Sequence, residues 1–275
     1  MIPRLHEIRA LRRLVLPTLK ALNPGNIKVR HHWTGDPVTL DAFRHKGYWY
    51  HGKSRERQSM ELFSELIRPG DSVLEVGGHI GYLSLYFASL VGQTGRVVVL
   101  EPGPNNLRYL RENVAAKPWV SVVECAASSY VGTADLHTEN LTGQNNTLLE
   151  RYATRVANEE RSFIADVGAD VVTVACTTVD ALLQQPDQTT PSFVKIDVEG
   201  AELAVLQGMT QTLASSRLAL MVEVTEKSAE VSELLLGAGY RLFSESKLPI
   251  VRGGRLHGNV FCLKPGDVRG DRFGI

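Results

Sequence analysis

The sequence is poor in cysteine, carries no net charge and has no long apolar run. Cys125, Cys176 and Cys262 stand far apart in 275 residues, with no CxxC pair. That spacing excludes a disulfide framework and a structural zinc site, and it fits a reducing, cytoplasmic setting. Thirty basic residues balance thirty acidic ones, so no overall field draws the chain to nucleic acid or to an anionic membrane. No stretch approaches the roughly 20 apolar residues of a membrane span. The first stretch, MIPRLHEIRALRRLVLPTLKAL, is broken by Arg4, Arg9, Arg12, Arg13 and Lys20 and lacks the apolar centre of a secretion signal. It reads as a basic helix packed on the domain, with weak membrane-surface contact by residues 1–20 as its other use. Repeats, low-complexity tracts and the G-x-G-x-x-G dinucleotide fingerprint are also missing.

What is present is alternation. Met60, Leu62, Phe63, Leu66 and Ile67 recur at helical spacing, and Pro69-Gly70 stops that helix. Strands are expected at 72–76, 96–100, 120–124, 193–196, 218–224, 240–244 and 259–263. Helical patterns follow residue 82 and cover 105–114, 178–183, 199–207 and 228–236. Two extra strands, 133–138 and 171–177, flank a polar insert over 139–168. This order predicts an α/β fold, a Rossmann-like, mostly parallel sheet of seven core strands with helices on both faces. The last two strands have no helix-length pattern between them and predict an antiparallel C-terminal hairpin at the sheet edge. Residues 1–55 read as an N-terminal extension and 56–275 as one domain. Within the extension, Tyr48, Trp49 and Tyr50 read as core residues of an edge strand, or else as a lid that stacks on a ligand.

In an open parallel sheet, ligands bind beyond the carboxyl ends of the strands. Glu75-Val76-Gly77-Gly78-His79-Ile80-Gly81 falls where the first strand turns into its helix. Gly77 permits the tight turn, and Gly81 a close backbone approach to a ligand. The loop is G-x-x-x-G behind a carboxylate, unlike the phosphate-binding fingerprint. A ligand with a sulfonium and an ammonium but no phosphate has more use for a carboxylate, and S-adenosylmethionine is such a ligand. Glu101, closing the second strand, is placed to accept hydrogen bonds from ribose hydroxyls. Cys125 and Ala126, after the third strand, are expected to border the adenine.

The segment Phe193-Val-Lys-Ile-Asp-Val-Glu-Gly-Ala-Glu-Leu-Ala-Val-Leu-Gln-Gly208 delivers Asp197 to a strand's carboxyl edge. Glu199-Gly200 is expected to open the next helix and Gly208 to cap it. This segment closely resembles the KIDVEGAE-x-x-VL-x-G signature of the FkbM family of methyltransferases. Residues 72–82 resemble that family's glycine-rich motif, and Leu100-Glu101-Pro102-Gly103-Pro104 its FEPxP turn. Asn145-Asn146-Thr147-Leu148 is similar to its short Asn/Ser loop, and Gly239-Tyr240 with Gly258-Asn259-Val260-Phe261 to its final hairpin. The resemblance spans residues 56 to 265. Glu75 stands where Asp is usual, Gly78 where Ala is common and His79 where Asn is frequent.

The resemblance implies methyl transfer from S-adenosylmethionine to an oxygen of a small molecule, sugar or glycan. With the loop readings it makes Glu75, Gly77, Gly78, His79 and Gly81 cofactor-binding candidates, joined by Glu101, Pro102, Cys125, Ala126, Asp197 and Glu199. Asp197 is the first candidate for the base that takes the acceptor's proton; alternatively Asp197 and Glu199 only hold the cofactor or cap the helix. His79 is the second candidate, while His51, His137 and His257 read equally as packed or solvated side chains. Carboxylates at 197, 199 and 223 suit Mg²⁺, but nothing in the spacing demands a metal. The sequons at Asn140 and Asn145 read as coincidental. Two alternatives stay open: a nicotinamide-dependent oxidoreductase, and a non-catalytic scaffold that retains the fold.

Overall fold

A computed structural model describes residues 9–139, 142–161, 169–215 and 217–274. Arg4 of the basic stretch, Asn140 and residues 162–168 of the expected insert lie outside them. The chain begins with α1 (Arg9–Ala21), the hairpin β1 (Asn26–Arg30) and β2 (Pro37–Asp41), and helices α2 (Lys46–His51) and α3 (Arg57–Leu66). The alternating core then starts: β3 (Ser72–Val76), α4 (Tyr82–Val91), β4 (Arg96–Leu100), α5 (Pro104–Val114) and β5 (Val120–Val123). A side sheet follows, made of β6 (Ala126–Ala127), β7 (Gly132–Glu139) and β8 (Ala169–Thr177), with α6 (Glu150–Arg161) between the last two. After α7 (Val179–Leu183) come β9 (Phe193–Ile196), α8 (Glu202–Gln207), α9 (Thr210–Leu213), β10 (Ala219–Val224) and α10 (Ser228–Gly237). Finally β11 (Arg241–Phe243), β12 (Pro249–Ile250) and β13 (Gly258–Leu263) complete the main sheet.

That sheet has the order β12-β11-β13-β10-β9-β3-β4-β5. The five strands from β10 to β5 are parallel, and β13 runs antiparallel to both β10 and β11. The seven expected core strands are all there, with the two-residue β12 added at the edge. The final strand inserts between β10 and β11 rather than lying outside them. The apolar runs of β3, β4 and β9 bury alternate residues in two cores, as strands covered on both faces must. Val73, Val97 and Phe193 pack with α3, α4 and α5 on one face. Leu74, Val98 and Val194 pack with α7, α8 and α10 on the other.

Two expectations are corrected. The Tyr48-Trp49-Tyr50 segment is helical, in α2, not an edge strand; Tyr48 is buried, while Trp49 anchors the outer face by donating Nε1–H to the Ala42 carbonyl at 2.8 Å. Helix α8 starts at Glu202 rather than at Glu199. Glu199 and Gly200 form a left-handed turn, φ 49° and 95°, held by Thr147 Oγ1 donating to the Glu199 carbonyl at 2.7 Å. Gly208 caps the C-terminus of that helix as expected, at an ordinary φ of −83°. It is glycine because a Cβ there would strike the Ser128 carbonyl. Among the described residues, no helix is long and apolar enough to cross a membrane.

Candidate active site

The chain fills the sheet outward from β3 through β5 and then returns to β9 on the other side of β3. The reversal leaves a crevice at the carboxyl ends of β3, β4 and β9. Each of these strands delivers an acid there: Glu75, Glu101 and Asp197 line one cavity of about 250 Å³. Gly77, Gly78, His79, Pro102, Cys125, Ala126 and Glu199 share its wall. Gly81 does not face the cavity; it has a φ of 82°, and a Cβ would press on Leu110 of α5 at 2.8 Å. Its role is backbone turn and helix contact, not approach to a ligand.

The loop after β3 spends its amides on protein. Gly77 and Gly78 N–H donate to the Leu100 carbonyl at 2.9 and 3.1 Å, and His79 N–H donates to Glu101 Oε2 at 2.7 Å. No bare N–H cradle of the kind that holds a pyrophosphate remains at these positions. Gly77 is obligatory here, with a φ of 89°, and a Cβ would collide with the Asp197 carbonyl.

Glu75 is 1% exposed. Its Oε2 accepts from Ser84 Oγ at 2.5 Å, while Oε1 is buried with no hydrogen-bond partner among the described residues. Burial strips hydration from the charged form and raises the carboxyl to about 7, against the pull of Lys195. Glu101 is likewise raised to about 7 by burial, although Gly103 N–H at 2.8 Å and Asn106 Nδ2 at 3.2 Å donate to its Oε1. Lys195 interrupts an otherwise apolar strand. Its Nζ donates to the Gly77 carbonyl and to Asp197 Oδ2, both at 2.9 Å, and sits 4.0 Å from Glu75. Burial opposes its charge, but Asp197 and Glu75 outweigh burial and hold the ammonium above its ordinary value.

Asp197 faces two neighbours of opposite effect. Burial disfavours its charge, yet Lys195 prevails and keeps it below the usual carboxylate range. Glu223, hydrogen-bonded to that negative charge at the end of β10, is pushed up to about 9. The pair therefore holds one proton near neutral pH, on Glu223. Glu199 accepts from the Tyr152 hydroxyl of α6 and is raised to about 7 by burial. Among the described residues no group of three or more His, Cys, Asp or Glu is arranged to hold a metal.

His79 adopts a φ of 48°, and both its ring nitrogens are engaged. Nε2 lies 3.3 Å from the Thr142 carbonyl, so it carries the proton, and Nδ1 accepts from the Tyr48 hydroxyl at 2.9 Å. Burial holds the ring neutral, well below its ordinary pKa. The Asn/Ser loop closes over the Glu101 end, where Asn146 Nδ2 donates to Asn105 Oδ1 at 2.9 Å and Asn106 Nδ2 to the Gly143 carbonyl at 3.0 Å. His51 and His257 do not line the cavity. Sequence reasoning missed Lys195 and Arg55 as site residues. A lone charge inside Phe193-Val-Lys-Ile was a usable signal for the first; no pattern marks the second.

Over residues 75–242 the chain matches the Methyltransferase FkbM domain. It is similar to methyltransferase sdnD of Sordaria araneosa, 30% identical over 190 residues that cover 61% of this chain and 73% of that relative. It is also similar to hexuronic acid methyltransferase AglP of Haloferax volcanii, 26% identical over 58% of this chain and 59% of that one. A solved structure of methyltransferase FkbM from Methylobacillus flagellatus aligns with 74% of this chain at 15% identity and a TM-score of 0.44; the aligned part is 50% of that structure. The chain thus spans about half to three-quarters of the length of these relatives.

Proposed function

This chain belongs to the FkbM methyltransferase family, and on that footing we propose that it methylates an oxygen of a saccharide or small-molecule acceptor with S-adenosylmethionine. The observation that carries the reading is the acid set in one cavity: Glu75, Glu101 and Asp197 end adjacent parallel strands. The loop amides between them are already committed to Leu100 and Glu101. Such a site fits a nucleoside bearing positive charge and no phosphate, whereas a nicotinamide dinucleotide needs free amides for its pyrophosphate. The relation to a hexuronic acid methyltransferase supports a saccharide acceptor.

When bound, the cofactor supplies a methyl group activated by its sulfonium. Glu101 would take the ribose hydroxyls, Glu75, whose Oε1 has no hydrogen-bond partner among the described residues, would take the ammonium, and Cys125 and Ala126 would border the base. Asp197 receives the proton of the acceptor oxygen. Lys195 keeps that carboxylate ionised and fixed, and Glu223 donates its proton in a hydrogen bond to the same group. His79, with both ring nitrogens bonded, holds the loop against Tyr48. Positioning supplies much of the rate, and the base contributes about 10²–10⁴-fold.

Calorimetry with S-adenosylmethionine and transfer of labelled methyl to a panel of saccharides test this. Glu101→Ala is expected to weaken cofactor binding tenfold or more. Asp197→Asn is expected to keep cofactor affinity and to lose turnover by about 10²–10⁴-fold. No binding to the unaltered protein would overturn the function, and normal turnover in Asp197→Asn the role of that residue.

A further inference from the structure

We propose that Arg55, on the segment N-terminal to the family-matched residues, grips the carboxylate at the amino-acid end of S-adenosylmethionine; this rests on the cofactor reading above. That end of the cofactor is a zwitterion, so a wall of acids alone complements its ammonium and repels its carboxylate. Among the residues lining the cavity, the permanent cations are Lys195 and Arg55. Lys195 is committed: it is 2% exposed, with Asp197 and the Gly77 carbonyl both at 2.9 Å.

Arg55 is only partly satisfied. Its Nη2 meets Glu56 Oε1 at 3.0 Å, and the guanidinium lies over the Tyr48 ring, 4.4 Å from its centre. Its Nε is buried with no hydrogen-bond partner among the described residues. A buried donor on a charged group is destabilising until a ligand supplies the acceptor. A carboxylate does so, because its two oxygens match the guanidinium fork.

The surroundings keep room for that fork. A Cβ on Gly47 would stand 2.8 Å from Nη1, so the missing side chain is what seats the guanidinium. The next residue, Tyr48, hydrogen-bonds His79 at 2.9 Å, which places Arg55 on the side of the cavity formed by the loop after β3. That loop carries the Gly77 carbonyl and follows Glu75, the acid assigned to the ammonium. Ammonium and carboxylate thus find opposite charges, Glu75 and Arg55, in the lining of one cavity.

The experiment compares S-adenosylmethionine with decarboxylated S-adenosylmethionine, which keeps the sulfonium and the amine but lacks the carboxylate. Calorimetric affinities are measured for the unaltered protein, Arg55→Met, Arg55→Lys and Gly47→Ala, with melting temperatures to establish folding. The unaltered protein is expected to prefer the complete cofactor at least tenfold. Arg55→Met is expected to lose tenfold or more for the complete cofactor and less than twofold for the decarboxylated one. Arg55→Lys and Gly47→Ala are expected to lie between, and they carry the comparison if Arg55→Met does not fold. Unchanged affinities in all variants would overturn the proposal and point to an anion on the acceptor. Equal losses for both ligands would overturn it in favour of a structural role. If the unaltered protein binds neither ligand, the cofactor reading fails as well, an outcome distinct from both.

Discussion

Glu75 and Glu101 are each raised to about 7 by burial, so the charge that receives a cationic cofactor appears only as pH rises through neutrality. A neutral carboxyl cannot complement an ammonium, and protonation competes with binding by about tenfold per unit below the pKa for each group. Affinity for S-adenosylmethionine is expected to fall as pH drops from 8 to 6, and Glu101→Gln is expected to flatten that dependence by removing one titrating group. Calorimetry across this range checks it; a pH-independent affinity would refute the assignment. Folding responds with the opposite sense. These groups, and Glu223 at about 9, have folded pKa values above the ordinary 4.5, so the folded state binds the protons more tightly. Their contribution is complete below 4.5 and is lost as pH rises toward 7, and toward 9 for Glu223. Both strand-end acids were legible in the sequence because a charge closing an apolar strand has one place to go. The base candidacy of His79 was legible only as position; the Tyr48 and Thr142 contacts that occupy its ring come from 31 residues before it and 63 after it. Arg55 reaches the same cavity from outside any periodic pattern.

At the level of elements, the parallel strands and their helices followed from periodicity, but the turns that join them did not follow from periodicity alone. Gly77 was expected for its torsion, and the structure adds a second reason, the Asp197 carbonyl standing where a Cβ would go, beside the β3–β9 pair. Gly77→Ala therefore combines a left-handed φ with a clash against backbone that cannot swing aside. It is expected to destabilise the fold by about 3 kcal/mol, read from a denaturant midpoint at unchanged slope. A loss under 1 kcal/mol would show that β3 and β9 can separate at that point. The Glu199-Gly200 turn was read as a helix start because a carboxylate before an apolar period looks like an N-terminus. What bends it instead is non-local: Thr147 and Tyr152, from the loop and α6, hold the Glu199 carbonyl and carboxylate. A cap built from residues about fifty positions away leaves no trace in a local pattern. The aromatic segment misled for a related reason, since strand propensity in Tyr48-Trp49-Tyr50 yields to tertiary packing in α2.

For the molecule as a whole, residues 26–55 are structurally inseparable from the core that follows. Val38 and Leu40 are fully buried and Phe43 is 5% exposed, and Val38, Leu40 and Tyr48 share one cluster with Val73, Ile80 and Leu110. Asn113 of α5 ties the hairpin down: it accepts from Thr39 N–H at 2.7 Å and donates to the Thr39 carbonyl at 3.0 Å and the Ile80 carbonyl at 2.8 Å. The sequence hid this because β1 and β2 are five residues each and precede the alternating pattern. Helix α1 is bound differently. Of its side chains from Val15 onward only Leu16 is buried, while Val15 and Leu19 are 41% and 39% exposed. Burying one aliphatic side chain contributes about 1.5–3 kcal/mol, so three rival the net stability of a domain, about 5–15 kcal/mol. Removing residues 1–21 is accordingly expected to lower the melting temperature by only roughly 2–8 °C and to leave cofactor affinity within twofold. Removing residues 1–45 strips Val38, Leu40 and Phe43 from the core and orphans Asn113, and is expected to abolish cooperative unfolding and cofactor binding together. Thermal melts and calorimetry on the two truncations separate the cases: a cooperative melt with retained binding after loss of residues 1–45 would mean that the core and the cavity hold without the β1–β2 hairpin.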